Sequence, residues 1–220
     1  MASMYETIME LPLFKGIGEE QLSLLLEKTS VEFLKFEEGT TIAEPEETVR
    51  SVDFILNGRV RQTYKLVNYA IEIDEILSRG AVIGALHLFG METNYTSYCV
   101  ATSRVSIMRI SKADYMNILL SDKIYLLNFV NYLSAASQKT PSFMRNVNLP
   151  SIGRSLKTLA FTFTSRRAET VMIAGEDSIL AQYCGVSVDE FQEWKSTELS
   201  HNRIISIQRG IILKSPHLLR

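Results

Sequence analysis

Cysteine is nearly missing from this chain. Cys99 and Cys184 are its only two thiols, and they lie far apart, outside any short metal or redox spacing. A disulfide framework is therefore excluded, and a reducing, cytoplasmic setting with both thiols buried is the expectation. Histidine is equally scarce. His87, His201 and His217 form no His-x-His pair, and no carboxylates join them at ligand spacing. No nucleophile–base pairing is readable either, so neither a metal centre nor an enzyme is expected. No apolar run approaches the ~18 residues that a membrane-spanning helix needs. Met1–Leu11 carries neither a basic region nor an apolar stretch, so no signal peptide is expected. Internal repeats and low-complexity tracts are absent too.

What is present fits an ordinary globular protein: 220 residues, 46% hydrophobic and 22% charged. The net charge of −2 hides an asymmetry. Residues 1–140 hold 13 basic and 18 acidic residues, and residues 141–220 hold 10 and 7. The last third is thus the one with an excess of positive charge, which favours a polyanionic partner there.

Residues 19–29 read as a helix, with Leu22, Leu25 and Leu26 on one face and acids in the first turn. From Val31 to Ile110 come short segments rich in β-branched and aromatic residues, among them "VEFLKF", "SVDFIL", "RVRQTYKLV" and "VSIMRI". Turn signals at Glu38-Gly39, Asn57-Gly58, Arg79-Gly80 and Thr102-Ser103 separate them, and Asn57-Gly58 predicts a hairpin. Such evenly spaced short strands predict a barrel or jelly roll. Ser111 is placed to cap a helix, with Asp114 three residues on. "SDKIYLLNFVNYLSAASQK" then predicts a long helix with two apolar stripes, one through Leu126, Val130 and Leu133 and one through Tyr125 and Phe129. A helix apolar on two sides needs two covers, its own β domain and a second subunit.

The turn-rich "KTPSFMRNVNLP" marks a domain junction. Beyond it the pattern reads helix, strand ("ETVMIA"), two short helices joined through Gly185, and a hairpin turning near Arg209-Gly210. That order is the order of a winged helix. The predicted organisation is a sensor domain over 1–120, a dimerisation helix and hinge over 121–146, and a winged-helix domain over 147–220.

In combination these segments resemble the cyclic-AMP receptor and fumarate–nitrate regulator (CRP/FNR) family of bacterial transcription factors. The residues that carry the likeness are "LPLFKGIGEEQLSLL", "FLKFEEGTTIAEPEETVRSVDFILNGRVR", "GAVIGALHLFG" with "YTSYCVATSRVSIMRIS", and "SILAQYCGVSVDEF". The resemblance implies an α+β fold: an N-terminal double-stranded β-helix (a jelly roll of the cyclic-nucleotide-binding type), a long dimerisation helix and a C-terminal winged helix-turn-helix. It also implies a homodimer on a palindromic double-stranded DNA operator, acting with RNA polymerase under a small-molecule effector.

Two departures stand out. In cyclic-AMP-binding relatives a Gly-Glu pair takes the ribose hydroxyl, and an Arg-Ser or Arg-Thr pair takes the phosphate. Here those pairs are Gly84-Ala85 and Tyr95-Thr96. The effector pocket implied is Gly84, Ala85, Leu86, Tyr95 and Thr96, stripped of its carboxylate and its cation. An effector other than cyclic AMP, or none, is therefore expected. No cysteine precedes Cys99, which excludes the iron–sulfur sensing of some relatives, and His87 and Cys99 read as structural residues, which weighs against haem.

The second departure is in the DNA reader. The base-reading candidates Ser187, Val188, Asp189, Glu190, Gln192 and Glu193 include no arginine, and residues 176–199 carry six acids against Lys195. Phosphate contacts are then expected from Arg154, Lys157, Lys195, His201, Arg203 and Arg209, with Arg166, Arg167 and Lys214 nearby. The dimer interface expected is Tyr125, Leu126, Phe129, Val130 and Leu133. Retention of the fold with weakened DNA binding, as a regulatory protein-interaction or ligand-binding module, is the alternative.

Overall fold

A computed structural model describes residues 4–138, 151–164, 168, 170–214 and 216. The junction at 139–150, together with Arg166, Arg167 and His217, lies outside the described residues. The chain forms two compact units. The first takes in Met1–Arg61 and Leu77–Ser137, and the second takes in Gln62–Ile76 and Gln138–Arg220.

In the first unit, helices α1 (Met4–Met9) and α2 (Glu19–Lys28) precede strands β1 (Val31–Phe36), β2 (Thr41–Ala43) and β3 (Ser51–Asn57). Strand β4 (Val60–Leu66) leaves the unit and β5 (Ile71–Leu77) returns to it. Then follow β6 (Val82–Ile83), β7 (Tyr98–Ala101), β8 (Val105–Ser111) and helices α3 (Lys112–Ser121) and α4 (Lys123–Ser137). One sheet has the order β1-β8-β3-β6, all antiparallel, and β2 pairs with β7 outside it. Asn57-Gly58 does not close a hairpin, because β3 pairs with β8 and β6 while β4 belongs to the other sheet. The turn instead carries the chain across from one sheet to the other, as a two-layered roll requires.

The period-2 pattern of β3 and β8 divides their side chains between two cores. Val52 and Phe54 of β3, with Met108 and Ile110 of β8, join the helices, whereas Ile55 and Ile107 pack with Ala43, Val60, Ile83, Cys99 and Val105 inside the roll. Ser111 caps α3 by accepting from the Asp114 amide. Helix α4 buries Tyr125 and Phe129 in the helical core: Tyr125 meets Phe14 edge-on at 6.1 Å, and Phe129 meets Tyr115 at 5.7 Å and Phe89 at 5.8 Å. Asn128 clamps the same face by donating to the carbonyls of Leu13 and Lys15.

The second unit holds helix α5 (Ile152–Phe163), strand β9 (Thr170–Ala174), helices α6 (Asp177–Cys184) and α7 (Val188–Ser200), and strands β10 (Ile204–Ile207) and β11 (Gly210–Lys214). Strands β10, β11 and β9 form an antiparallel sheet, with the β10–β11 turn at Gln208-Arg209. The far edge of β9 is occupied by β5, through Glu72↔Ala174, Ile73↔Ile173 and Asp74↔Met172. Ile71 and Ile73 are fully buried with Leu156, Leu159, Ile173, Leu180, Phe191 and Ile211. Hence part of this core comes from residues nearly a hundred positions upstream. The segment 62–76, which the sequence pattern assigns to the sensor, belongs to this second unit.

Candidate effector cradle and nucleic-acid interface

The cradle lies in the first unit, where β6 runs into Gly84. This residue has φ 86°, a left-handed conformation that favours glycine. A Cβ there would lie 2.7 Å from the Ser51 carbonyl oxygen and 3.4 Å from the Tyr95 hydroxyl. The Tyr95 phenol thus lies close against the backbone at Gly84. Ala85 is 2% exposed and packed in the helical core, so its side chain faces no ligand, while Leu86 is exposed. Thr96 is exposed, with its hydroxyl 3.3 Å from His87 Nε2. The Tyr95 backbone is tied on both sides: its amide donates to the Glu47 carbonyl and its carbonyl accepts from the Glu46 amide.

An ion pair that the sequence reading did not single out adjoins this cradle. Arg109 of β8 donates twice to Asp53 of β3, at 2.8 and 2.6 Å, and the Ser51 hydroxyl adds a third bond to the same carboxylate. Asp53 is fully buried. A bidentate pair of this kind is the strong form of charge-assisted bond, and the bond to Asp53 raises the Arg109 pKa further. Tyr95 feels this pair: burial first, and the Asp53 charge second, push its phenol up to about 12. The cradle therefore offers neutral hydrogen-bonding groups, and the guanidinium beside it is already committed to a carboxylate. One signal existed in the sequence. Asp53 and Arg109 share strand parity with the inward-facing Ile55 and Ile107, which places opposite charges inside the roll.

The candidate nucleic-acid interface lies in the second unit. Helix α6 ends at Gly185, φ 70°, whose amide and that of Val186 satisfy the last carbonyls of the helix. Ser187 then caps α7: its Oγ accepts from the Glu190 amide, and the Glu190 carboxylate accepts from the Ser187 amide at 2.8 Å and from its hydroxyl at 2.8 Å. These bonds lower the Glu190 pKa. Glu190 is thus exposed and at the same time engaged in the cap. Val188, Asp189, Gln192 and Glu193 are exposed, whereas Phe191 is fully buried with Trp194 beside it at 5.7 Å.

Several acids of this region have partners within the unit. Lys195 Nζ lies 2.7 Å from Asp177, with the two side chains 14% and 27% exposed, so it joins α7 to α6 and is not presented to solvent. Arg203 pairs with the buried Glu198 at 3.4 Å, and Lys214 donates to Asn202. Arg209 pairs with Glu176 at 3.2 Å, but in the open, with side chains 75% and 58% exposed. Arg154 is exposed at the start of α5, Lys157 is half-buried and His201 is exposed at the end of α7. Of the six expected phosphate contacts, Arg154, His201 and Arg209 are presented to solvent, while Lys195 is built into the fold.

The expected dimer stripe also divides. Tyr125 and Phe129 are 4% and 5% exposed, inside their own core, and Leu133 packs against it. Leu126 and Val130 are exposed, as is Leu127, which the sequence reading passed over. Tyr125 and Phe129 drop out as interface residues because Phe14, Tyr115 and Phe89 already cover them.

Among the described residues no group of three His, Cys, Asp or Glu could hold a metal ion, and no helix is long and apolar enough to cross a membrane.

Residues 33–122 match the family model described as the cyclic nucleotide-binding domain. Solved structures then give the particulars. The chain is similar to the catabolite activator protein of Thermus thermophilus, at 15% identity over 94% of this chain and 95% of that one, with a TM-score of 0.53. It is similar to CLP, the c-di-GMP-responsive global regulator of Xanthomonas campestris, at 12% identity over 84% and 94%, with a TM-score of 0.51. The sensor domain of the transcriptional regulator DNR of Pseudomonas aeruginosa aligns at 18% identity over 60% and 91%, with a TM-score of 0.50. At these identities the likeness establishes a fold. No curated protein matches the sequence.

Proposed function

We propose that the chain is a CRP/FNR-type transcription regulator: a homodimer that reads double-stranded DNA through α6 and α7 as a helix-turn-helix, with β10–β11 as the wing. The observation that carries this reading is the α6–Gly185–Ser187–α7 geometry. It leaves Val188, Asp189, Gln192 and Glu193 together on an exposed helix start. Acids there can accept from cytosine N4, and Val188 can touch a thymine methyl. Arg154, His201 and Arg209 supply phosphate contacts around it. Exposed ion pairs such as Arg209–Glu176 are worth only about 0–1 kcal/mol, so Arg209 can exchange its carboxylate for a phosphate at little cost.

For the roll we propose an effector other than cyclic AMP, or none. Ala85 offers no acceptor to a ribose, and Tyr95 offers no cation to a phosphate. Losing two charged hydrogen bonds forfeits about 1.5–3 kcal/mol each. Calorimetry with cyclic AMP should show millimolar or weaker affinity, and micromolar binding would overturn this assignment. For DNA, the test is a salt titration on the chain's own promoter region. Log affinity should fall linearly with log salt, with a palindromic site bound more tightly than random sequence. Equal, poor binding of both at low salt would favour the alternative, a regulatory module working through protein partners.

A further inference from the structure

Strand β5 occupies an edge that the rest of the second unit leaves open. Without it, the sheet β10-β11-β9 would end at β9 with a row of unpaired amides and carbonyls, the kind of edge to which an extra strand adds. Five residue pairs join β11 to β9, but only three join β5 to β9. The β5 ladder is thus the shorter of the two that hold β9. Packing reinforces it from both strands of the hairpin. Ile71 and Ile73 are fully buried in the core of the unit. Tyr64 lies 5.3 Å from Phe163 of α5, and Tyr69, at the hairpin tip, meets Tyr183 of α6 edge-on at 5.6 Å. Gly175, just past β9, lies under Ile71 and Leu180, where a Cβ would sit 3.5 and 3.3 Å from their side chains. The chain enters this hairpin from Arg61 and leaves it into Leu77, both residues of the first unit.

We propose that the hairpin Gln62–Ile76 is a detachable strap. It completes the second unit by adding a strand to β9, and its release is the conformational step that changes how that unit reads DNA. The DNA part rests on the function proposed above. A change in the first unit that pulls on Arg61 or Leu77 is transmitted straight into β5, and the three-pair ladder is where it acts. Docked, the strap fixes β9, α5 and α6 through Ile73, Tyr64 and Tyr69. Released, it strips two isoleucines from their core.

Two variants of the full chain test this. The first, Ile73→Asp, puts a charge where Ile73 packs. Hydrogen exchange should then accelerate by about tenfold or more at the β9 amides that face β5, while β1, β3 and β8 keep their protection. Unchanged exchange at β9, or a rise shared by every strand of both units, would overturn the strap. The second, Glu72→Cys with Ala174→Cys, places two thiols at paired positions and locks the strap on oxidation. Oxidised and reduced forms should then bind a mixed-sequence duplex at low salt with affinities that differ by about 5–150-fold, the range of ordinary allosteric coupling. Equal affinities would overturn the coupling. If neither form binds the duplex, the DNA reading falls with it, and the exchange experiment alone decides whether the strap detaches.

Discussion

Replacing Lys195 by Met and, separately, Arg209 by Ala distinguishes a cation built into the fold from one presented to a polyanion. Lys195 holds Asp177 at 2.7 Å with both side chains mostly buried. Removing the ammonium leaves a carboxylate at the start of α6 without its cation. A charge-assisted bond in such a setting is worth about 1.5–3 kcal/mol. For a domain of this size each kcal/mol moves the unfolding midpoint by about 4–8 °C. Arg209 and Glu176 are largely in solvent, so Arg209→Ala should cost no more than about 1 kcal/mol of stability. The effects on DNA binding should be reversed. Each phosphate contact contributes about 0.9 to the slope of log affinity against log salt. Arg209→Ala should therefore flatten that slope by about 0.9 per engaged copy, and Lys195→Met should leave it unchanged in the folded protein. Calorimetric melting and a salt series of fluorescence-anisotropy titrations read both quantities. A Lys195→Met protein that melts normally but shows a flattened slope would refute the reasoning.

Three further outcomes follow from particular contacts. Arg109→Met strands the fully buried Asp53 and should cost about 3–5 kcal/mol in urea unfolding, while adding Asp53→Leu should recover most of the loss; a single-variant cost below about 1 kcal/mol would contradict a buried pair. Leu127→Asp with Val130→Asp should give a folded monomer by sedimentation, whereas Phe129→Ala should cost about 3–5 kcal/mol of stability because its ring fills the core. Burial pushes the Cys99 and Cys184 thiols from 9.0 up to about 12, and the Tyr183 phenol from 10.0 to about 12. The fold holds these groups protonated, so their contribution is complete below pH 9 and is lost as pH rises towards 12. Thermal midpoints should fall across that window. Cys99 is fully buried, whereas Cys184, expected from the sequence to be buried, is only partly so. A thiol reagent at neutral pH should therefore leave Cys99 unlabelled before unfolding, and rapid labelling of Cys99 in the native protein would count against its burial.

Much of the roll was legible because period-2 alternation and turn residues are local signals. Ser111, Ser187 and Gly185 cap their helices where residue type alone placed them. Asn57-Gly58 misled because a turn pair states that the chain turns, not which strand the next segment joins. The two stripes of α4 were visible, but not which of them the chain itself covers, since that depends on Phe14, more than a hundred residues away. In the second unit, net charge counted acids and bases without pairing them. Asp177 with Lys195, and Glu198 with Arg203, are tertiary or turn-mediated contacts that carry no sequence spacing rule. The β5–β9 pairing was the least legible of all. "AIEIDEIL" reads as one more strand of the roll, and nothing local to it names β9 as a partner.

That distant partner has a consequence for how the protein is made. Ile73 leaves the ribosome a hundred residues ahead of Ile173, the residue across from it in the sheet. At about 5–20 residues per second, the nascent hairpin therefore waits about 5–20 s for its mate. Throughout that interval Ile71, Ile73 and the hairpin tyrosines are an apolar strand with no core to enter. The roll can close behind them, yet the second unit is not complete until its last strand emerges. Biosynthesis of this chain thus passes through a defined, half-finished state whose exposed segment is the same strap that the finished protein buries.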